Sequence, residues 1–214
     1  PWAEKHRLTE LKKIAHTPAT KRSLERLLAA PEKTPRLLLH GPPGTGKTTT
    51  VWAFLIELLG KNMTRGTFAA MNSSEDRGAK VIREDVKKYC TLDVNDEHGL
   101  PSNFLRNVTP CLLLLSDEAD ALTFEAQAAL RRVIEEHSGH TRFILCRNYV
   151  SKIVEPIQSR CALVAFQPLD DEQHREPMSD VINVAEDVEI DDSGLDSLLA
   201  LSDGDCRRSI TLLQ

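Results

Sequence analysis

One octapeptide narrows the folds open to this chain more than any other stretch. Gly41-Pro42-Pro43-Gly44-Thr45-Gly46-Lys47-Thr48 satisfies the spacing G-x-x-x-x-G-K-[ST], and it stands between a short apolar run and a helical pattern. That context is what the chemistry requires. Glycines let the backbone wrap around phosphate groups, and the N–H groups at the helix start point inward at the anion. Lys47 is placed to reach the β and γ phosphates, and the Thr48 hydroxyl to hold Mg²⁺. The competing reading, a glycine-rich turn with no ligand, does not account for a strand before it and a helix after it.

A second segment supplies the other half of such a site. Leu112-Leu113-Leu114-Leu115-Ser116-Asp117-Glu118 reads as a buried strand ending in two carboxylates. Asp117 is expected to orient the metal through its water shell. Glu118, one residue on and therefore on the other side of the strand, is expected to polarise an attacking water as general base. An acidic pair after a strand is often just solvated, and it is the phosphate loop that makes this one informative. Asp117-Glu118-Ala119-Asp120 also spells a helicase tetrapeptide, but the accompanying helicase motifs are not visible.

Around these motifs, short apolar runs alternate with longer amphipathic ones, the rhythm of a parallel sheet flanked by helices. Strands are predicted at Arg36 to His40, Thr67 to Met71, Cys111 to Ser116, Arg142 to Arg147 and Leu163 to Phe166. Helices are predicted at about Thr20 to Ala29, Lys47 to Leu59, Lys80 to Cys90 and Thr123 to His137. Thr91 to Pro110 has no period and reads as a loop. After Gln167-Pro168 only helical patterns remain, near Asp170 to Glu186, Ser193 to Leu201 and Asp205 to Gln214. Pro177 should kink the first of these or delay its start. The expected division is an α/β nucleotide-binding domain over 1–167 and a small helical lid over 168–214. The last pattern stops in mid-helix, as in a piece of a longer protein.

Composition bounds the partners. With 27 basic against 32 acidic residues the net charge is −5, so any nucleic-acid contact must be local rather than a property of the whole surface. No run approaches the roughly 18 apolar residues of a membrane helix, and the N-terminus has no signal-peptide core, so no membrane partner and an intracellular setting are expected. The five cysteines are scattered with no C-x-x-C pair, which predicts buried free thiols rather than zinc or disulfides. The seven histidines have no metal or catalytic spacing.

Further segments resemble a known family in order along the chain. Asn72-Ser73-Ser74-Glu75-Asp76-Arg77-Gly78 is similar to a signature of clamp-loader small subunits of the replication factor C type. Glu125 to Arg132, Asn148 to Ile153, Glu155-Pro156-Ile157-Gln158-Ser159-Arg160-Cys161 and Gly204 to Gln214 resemble its later signatures. The long loop before Cys111 resembles the variety that carries an insertion there. The resemblance implies an AAA+ P-loop NTPase with a five-stranded parallel sheet and a helical lid, binding ATP and Mg²⁺ between the two parts. It further implies a nuclear ATPase in a hetero-pentamer of clamp-loader subunits, which places a ring-shaped sliding clamp on primer-template DNA.

By the same resemblance, Asn148 senses the γ-phosphate, Arg207 of the lid touches the nucleotide, and Arg160 is an arginine finger acting on ATP held by the neighbouring subunit. Thr49 continues the phosphate loop. Pro1-Trp2-Ala3-Glu4-Lys5-His6-Arg7 is similar to the family's adenine-side box, which assigns Ala3 and Arg7 to the cofactor site. Arg77, Arg83, Lys87 and Lys152 match positions that track DNA backbone phosphates, and clamp contact is expected near Thr123 to His137. Four residues depart from the pattern. His6 and Leu8 bear on base packing, while Ser116 and Arg147 adjoin the hydrolytic residues. A non-hydrolysing ring subunit that donates Arg160, or another AAA+ DNA motor such as a branch-migration motor, are the alternative functions.

Overall fold

The computed structural model describes residues 2–29, 34–60, 68–72, 80, 82–90, 111–115, 122–138, 141–184 and 188–214. In chain order the elements are α1 (Trp2–Lys5), α2 (Pro18–Ala29), β1 (Leu37–His40), α3 (Lys47–Leu59) and β2 (Phe68–Asn72). A π-helical turn over Ile82–Val86 then leads into α4 (Lys87–Cys90), followed by β3 (Cys111–Leu115), α5 (Phe124–His137) and β4 (Arg142–Arg147). The chain continues with α6 (Glu155–Gln158), β5 (Ala162–Ala165), α7 (Asp171–Val184), α8 (Asp192–Ser202) and α9 (Cys206–Leu213). Two 3₁₀ turns, Leu11–Lys13 and Val150–Lys152, were not legible in the sequence.

Among the described residues the sheet has five strands in the order β2-β3-β4-β1-β5, all parallel. Its apolar residues alternate between two cores, as the two-residue period of a strand dictates. Leu37, Leu39, Ile144 and Cys146 pack with Val51, Phe54 and Leu55 of α3, whereas Leu38, Phe143 and Leu145 pack with Ala126, Leu130, Val133 and Ile134 of α5. Each fully buried Leu or Phe contributes about 1.5–3 kcal/mol. The predicted apolar face of α5 is the buried one, and its N-cap is Thr123, whose hydroxyl accepts from the Ala126 amide at 3.2 Å.

Three expectations need correcting. The helix over Lys80 to Cys90 is not one α-helix, because its first part is wound as a π turn that leaves Val86 and Cys90 in the α5 core. The last strand sits one residue earlier than Leu163 to Phe166. It follows the register of β1, with Leu37 beside Ala162 and His40 beside Ala165. Pro177 does not delay its helix: α7 starts at Asp171 because the Asp170 carboxylate accepts from the Gln173 amide at 2.8 Å and caps the first turn independently. Cys90 and Cys146 are buried, while Cys161 and Cys206 are half-buried; all four are free thiols.

The helices after β5 build a third core from Met178, Val181, Leu195, Leu198, Leu199 and Ile210, against which Trp2 and Ala3 of α1 pack. The first and last described residues are thereby neighbours, with the Trp2 amide donating to the Gln214 side chain at 3.1 Å. Among the described residues no helix is long and apolar enough to cross a membrane.

Candidate functional site

Helix α3 begins in an unusual way. Its N-cap is Gly46, left-handed at φ 83°, and no side chain caps the helix, so the first-turn amides have no side-chain acceptor. Gly44 is also left-handed, at φ 72°, a conformation glycine adopts at little cost. This loop follows β1, which lies between β4 and β5 in the sheet, a place where ligands bind at the carboxyl ends of parallel strands. The Gly41 amide donates to the Arg147 carbonyl at 3.2 Å, which ties the loop's first residue to the residue just before Asn148.

Lys47 is only 5% exposed. Its ammonium donates to the carbonyls of Gly41 at 2.8 Å and Pro42 at 2.6 Å, so it is held inside the loop rather than in solvent. Thr45 is buried too, its hydroxyl donating to the Pro42 carbonyl at 2.9 Å. Burial, and secondarily the Lys47 ammonium, lowers the pKa of His40 at the end of β1.

The loop also touches the helices that follow the sheet. The Cys206 amide, at the start of α9, donates to the Gly44 carbonyl at 3.2 Å. The Asp205 carboxylate, which caps α9 by accepting from the Arg208 amide at 2.9 Å, lies against Gly44 so closely that a Cβ there would overlap it. Gly44 is therefore required twice, by its backbone conformation and by this approach.

Between the loop, the N-terminal segment and the helices that follow the sheet lies a cleft of about 960 Å³ counting its open mouth. Its lining is mixed: Gly44, Thr45, Gly46, Lys47, Thr48, Thr49 and Arg207 bring polar groups to it, and Ala3, Leu8, Ile14, Pro177, Met178 and Val181 bring apolar ones. Such a lining suits a nucleotide, whose phosphates need amides and cations and whose base needs aliphatic surface. Arg7 and His6 border the cleft as well, and His6 packs edge-on to Trp2 at 5.9 Å. The two departures in the N-terminal box thus keep contact with the cleft, and Leu8 adds apolar surface to it.

The remaining residues singled out in the sequence lie in several places. Asn148 is half-buried just past the end of β4. Arg160 does not border the cleft; it precedes β5 and belongs to the opposite end of the sheet from the phosphate loop. Arg83, Lys87 and Lys152 are exposed, Lys87 lying 3.9 Å from Glu136. Ser116, Asp117, Glu118 and Arg77 lie outside the described residues. Arg147 is 2% exposed at the end of β4, in register with His40.

Two supporting residues were missed in the sequence. Gln127, 5% exposed, donates to the Lys152 carbonyl at 3.0 Å and accepts from the Val154 amide at 2.8 Å, fastening α5 to the turn that carries Lys152. His16 backs the phosphate loop. Its Nε2 is 3.3 Å from the Thr50 hydroxyl, which donates to the Gly46 carbonyl at 2.8 Å, and its ring packs edge-on to Phe166. Nothing in the spacing marks His16, and Gln127 falls within the Glu125 to Arg132 signature without being singled out there, because both act through contacts distant in sequence.

Burial, and secondarily Lys21, pushes the His16 pKa down to about 4. The folded chain then binds fewer protons here than the unfolded chain between the unfolded value and about 4, so stability falls as pH drops through that window. The full loss from this group is roughly 3 kcal/mol once pH reaches about 4. Urea midpoints at pH about 7 and about 5 should show it, and His16→Gln is expected to reduce the difference. Burial also lowers the pKa of His40 and His174, which leaves part of the acid sensitivity in place.

Known proteins place this site in a family. Replication factor C subunit 4 of Homo sapiens is 40% identical over 216 residues, covering 100% of this chain and 57% of that protein. Replication factor C subunit 2 of Saccharomyces cerevisiae is 38% identical over 217 residues, covering 100% and 60%. The replication factor C small subunit of Methanosarcina mazei is 38% identical, covering 100% and 59%. The chain thus spans about three fifths of the length of these curated relatives. In fold it resembles the Thermotoga maritima RuvB Holliday junction branch migration motor, with a TM-score of 0.72 at 18% identity over 97% of this chain and 64% of that one. Residues 37–169, from the first strand through the segment after the last, match the ATPase family associated with various cellular activities (AAA), and the chain belongs to that family.

Proposed function

We propose that this chain is the nucleotide-binding part of a clamp-loader small subunit, which uses ATP to help place a ring-shaped sliding clamp on primer-template DNA in the nucleus. Similarity to replication factor C subunits over the whole chain supports this reading. The observation that carries it is the direct bond between the phosphate loop and the lid, from the Cys206 amide to the Gly44 carbonyl. A loop that binds triphosphate and also holds the lid converts nucleotide occupancy into lid angle. Lid angle is what a subunit in a ring passes to its neighbours.

In this reading the loop amides and Lys47 bind the β and γ phosphates, with Thr49 and Arg207 at the rim and Ala3 and Arg7 toward the base. Thr48 and Asp117 would hold Mg²⁺, which would supply neutralisation of charge on the phosphate oxygens. Glu118 activates the water and Asn148, whose amide both donates and accepts, orients it. Arg160 serves a nucleotide held by an adjacent subunit of a hetero-pentamer. DNA is gripped through backbone phosphates by Arg77, Arg83, Lys87 and Lys152.

The test is nucleotide-dependent capture of the clamp by the assembled complex: a slowly hydrolysed ATP analogue with Mg²⁺ should promote capture, and capture that ignores nucleotide would contradict the reading. For DNA, each phosphate that a variant no longer neutralises should flatten the slope of log affinity against log salt by about 0.9. Arg83→Ala with Lys87→Ala is therefore expected to reduce the slope by about 1.8 in the assembled complex, and an unchanged slope removes both residues from the DNA surface.

A further inference from the structure

Arg160 lies at one end of the sheet and the chain's own phosphate loop at the other. Residue 162 is level with Leu37 at the start of β1, whereas the loop follows His40 at its end. A four-residue strand spans about 13 Å. If Arg160 acts on nucleotide, that nucleotide belongs to another subunit, and the guanidinium must be held ready on an exposed face.

The structure shows what holds it. One terminal nitrogen of Arg160, Nη1, donates to the Pro156 carbonyl at 2.7 Å, and the other, Nη2, meets Glu135 Oε1 at 2.8 Å. The same Glu135 oxygen accepts from Arg131 Nε at 3.1 Å, an i to i+4 pair that fixes the carboxylate on α5. Arg36 donates to the Arg160 carbonyl at 3.2 Å and secures the backbone. Two guanidinium groups thus share one carboxylate, leaving a local excess of positive charge suited to an anion. Among the described residues these are the side-chain contacts that Arg160 makes, of the five N–H groups a guanidinium carries, and the side chain is 33% exposed.

We propose that Glu135 is a positioning residue for Arg160: braced by Arg131, it holds the guanidinium so that its remaining N–H groups present outward to a phosphate bound by the adjacent subunit. This rests on the reading of Arg160 as a residue acting across the subunit boundary. Exposed ion pairs contribute little to stability because solvent screens them and two side chains must be ordered. Fixing a flexible side chain in a reactive geometry has a larger effect on rate, since small misplacements cost up to about 100-fold. The Arg131 bond, first among its causes, also holds the Glu135 carboxyl below the usual carboxylate range, so it remains ionised near neutral pH.

The experiment is single-turnover ATP hydrolysis by full-length subunits in the assembled ring, comparing Glu135→Gln, Arg160→Ala and the double variant. Glu135→Gln is expected to lower the rate at the adjacent site about 10- to 100-fold with nucleotide affinity unchanged. Arg160→Ala should lower it further, and the double variant should match Arg160→Ala alone, because Glu135 has nothing left to position. An unchanged rate for Glu135→Gln beside a large loss for Arg160→Ala overturns the role of Glu135. So does a double variant in which the two losses multiply. An unchanged rate for Arg160→Ala instead removes the reading of Arg160 itself, and the inference with it. The thermal midpoint of Glu135→Gln should stay near the parent's, separating a kinetic effect from misfolding.

Discussion

Lys47→Met is expected to weaken binding of Mg-ATP about 100-fold or more, equivalent to about 2.7 kcal/mol. The ammonium is nearly fully buried, and the carbonyls of Gly41 and Pro42 aim it into the loop. A charge already removed from water and already oriented interacts strongly with a phosphate, because little further reorganisation is required. Methionine retains the unbranched apolar stem, so packing beneath the loop should survive. Calorimetric titration measures the affinity, and a thermal melt close to the parent's shows that the fold is intact. Retained affinity would mean that the loop amides suffice without the lysine.

The proposed role of Arg160 across a subunit boundary predicts the second large effect, on a different molecule from the one mutated. Arg160→Ala in an assembled ring is expected to lower hydrolysis at the neighbouring site by about 10³ to 10⁵, the range for arginine fingers in phosphoryl transfer. The same substitution should leave nucleotide binding by the isolated chain unchanged, since Arg160 does not border its own cleft. Hydrolysis in rings mixing parent and variant subunits separates the two cases. A loss confined to the mutated subunit's own site would contradict action across the boundary.

The fold was largely legible because its signals are local and periodic. Every predicted strand is present within one residue at each end, and the loop between β1 and α3 could be read from glycine spacing alone. Leu37 to Leu39 and Phe143 to Cys146 alternate between the two cores as their residue types require. What escaped is what depends on partners far along the chain. The π turn at Ile82–Val86 puts Val86 into the core against α5, a contact that no local pattern announces. Pro177 is different: it sits inside α7, whose first turn is capped by Asp170, a local contact overlooked in the sequence.

The site divides in the same manner. Gly44, Lys47 and Thr48 declared themselves by motif, yet the second demand on Gly44, its contact with Asp205, comes from the opposite end of the chain. His16 and Glu135 carry no motif of their own, and Gln127 lay unremarked within the Glu125 to Arg132 signature, since a side chain bonded to a group distant in sequence leaves no spacing to detect. Arg160 could be singled out from its neighbours in sequence; the carboxylate that holds it could not.

The central claim is that the loop amides, Lys47 and the adjoining lid form a triphosphate site. Titrating the parent chain with a slowly hydrolysed ATP analogue in Mg²⁺ tests it most directly. Saturable binding at one site per chain, sharply weakened by Lys47→Met, is the predicted result, and no detectable affinity for adenine nucleotide by the folded parent chain would contradict it.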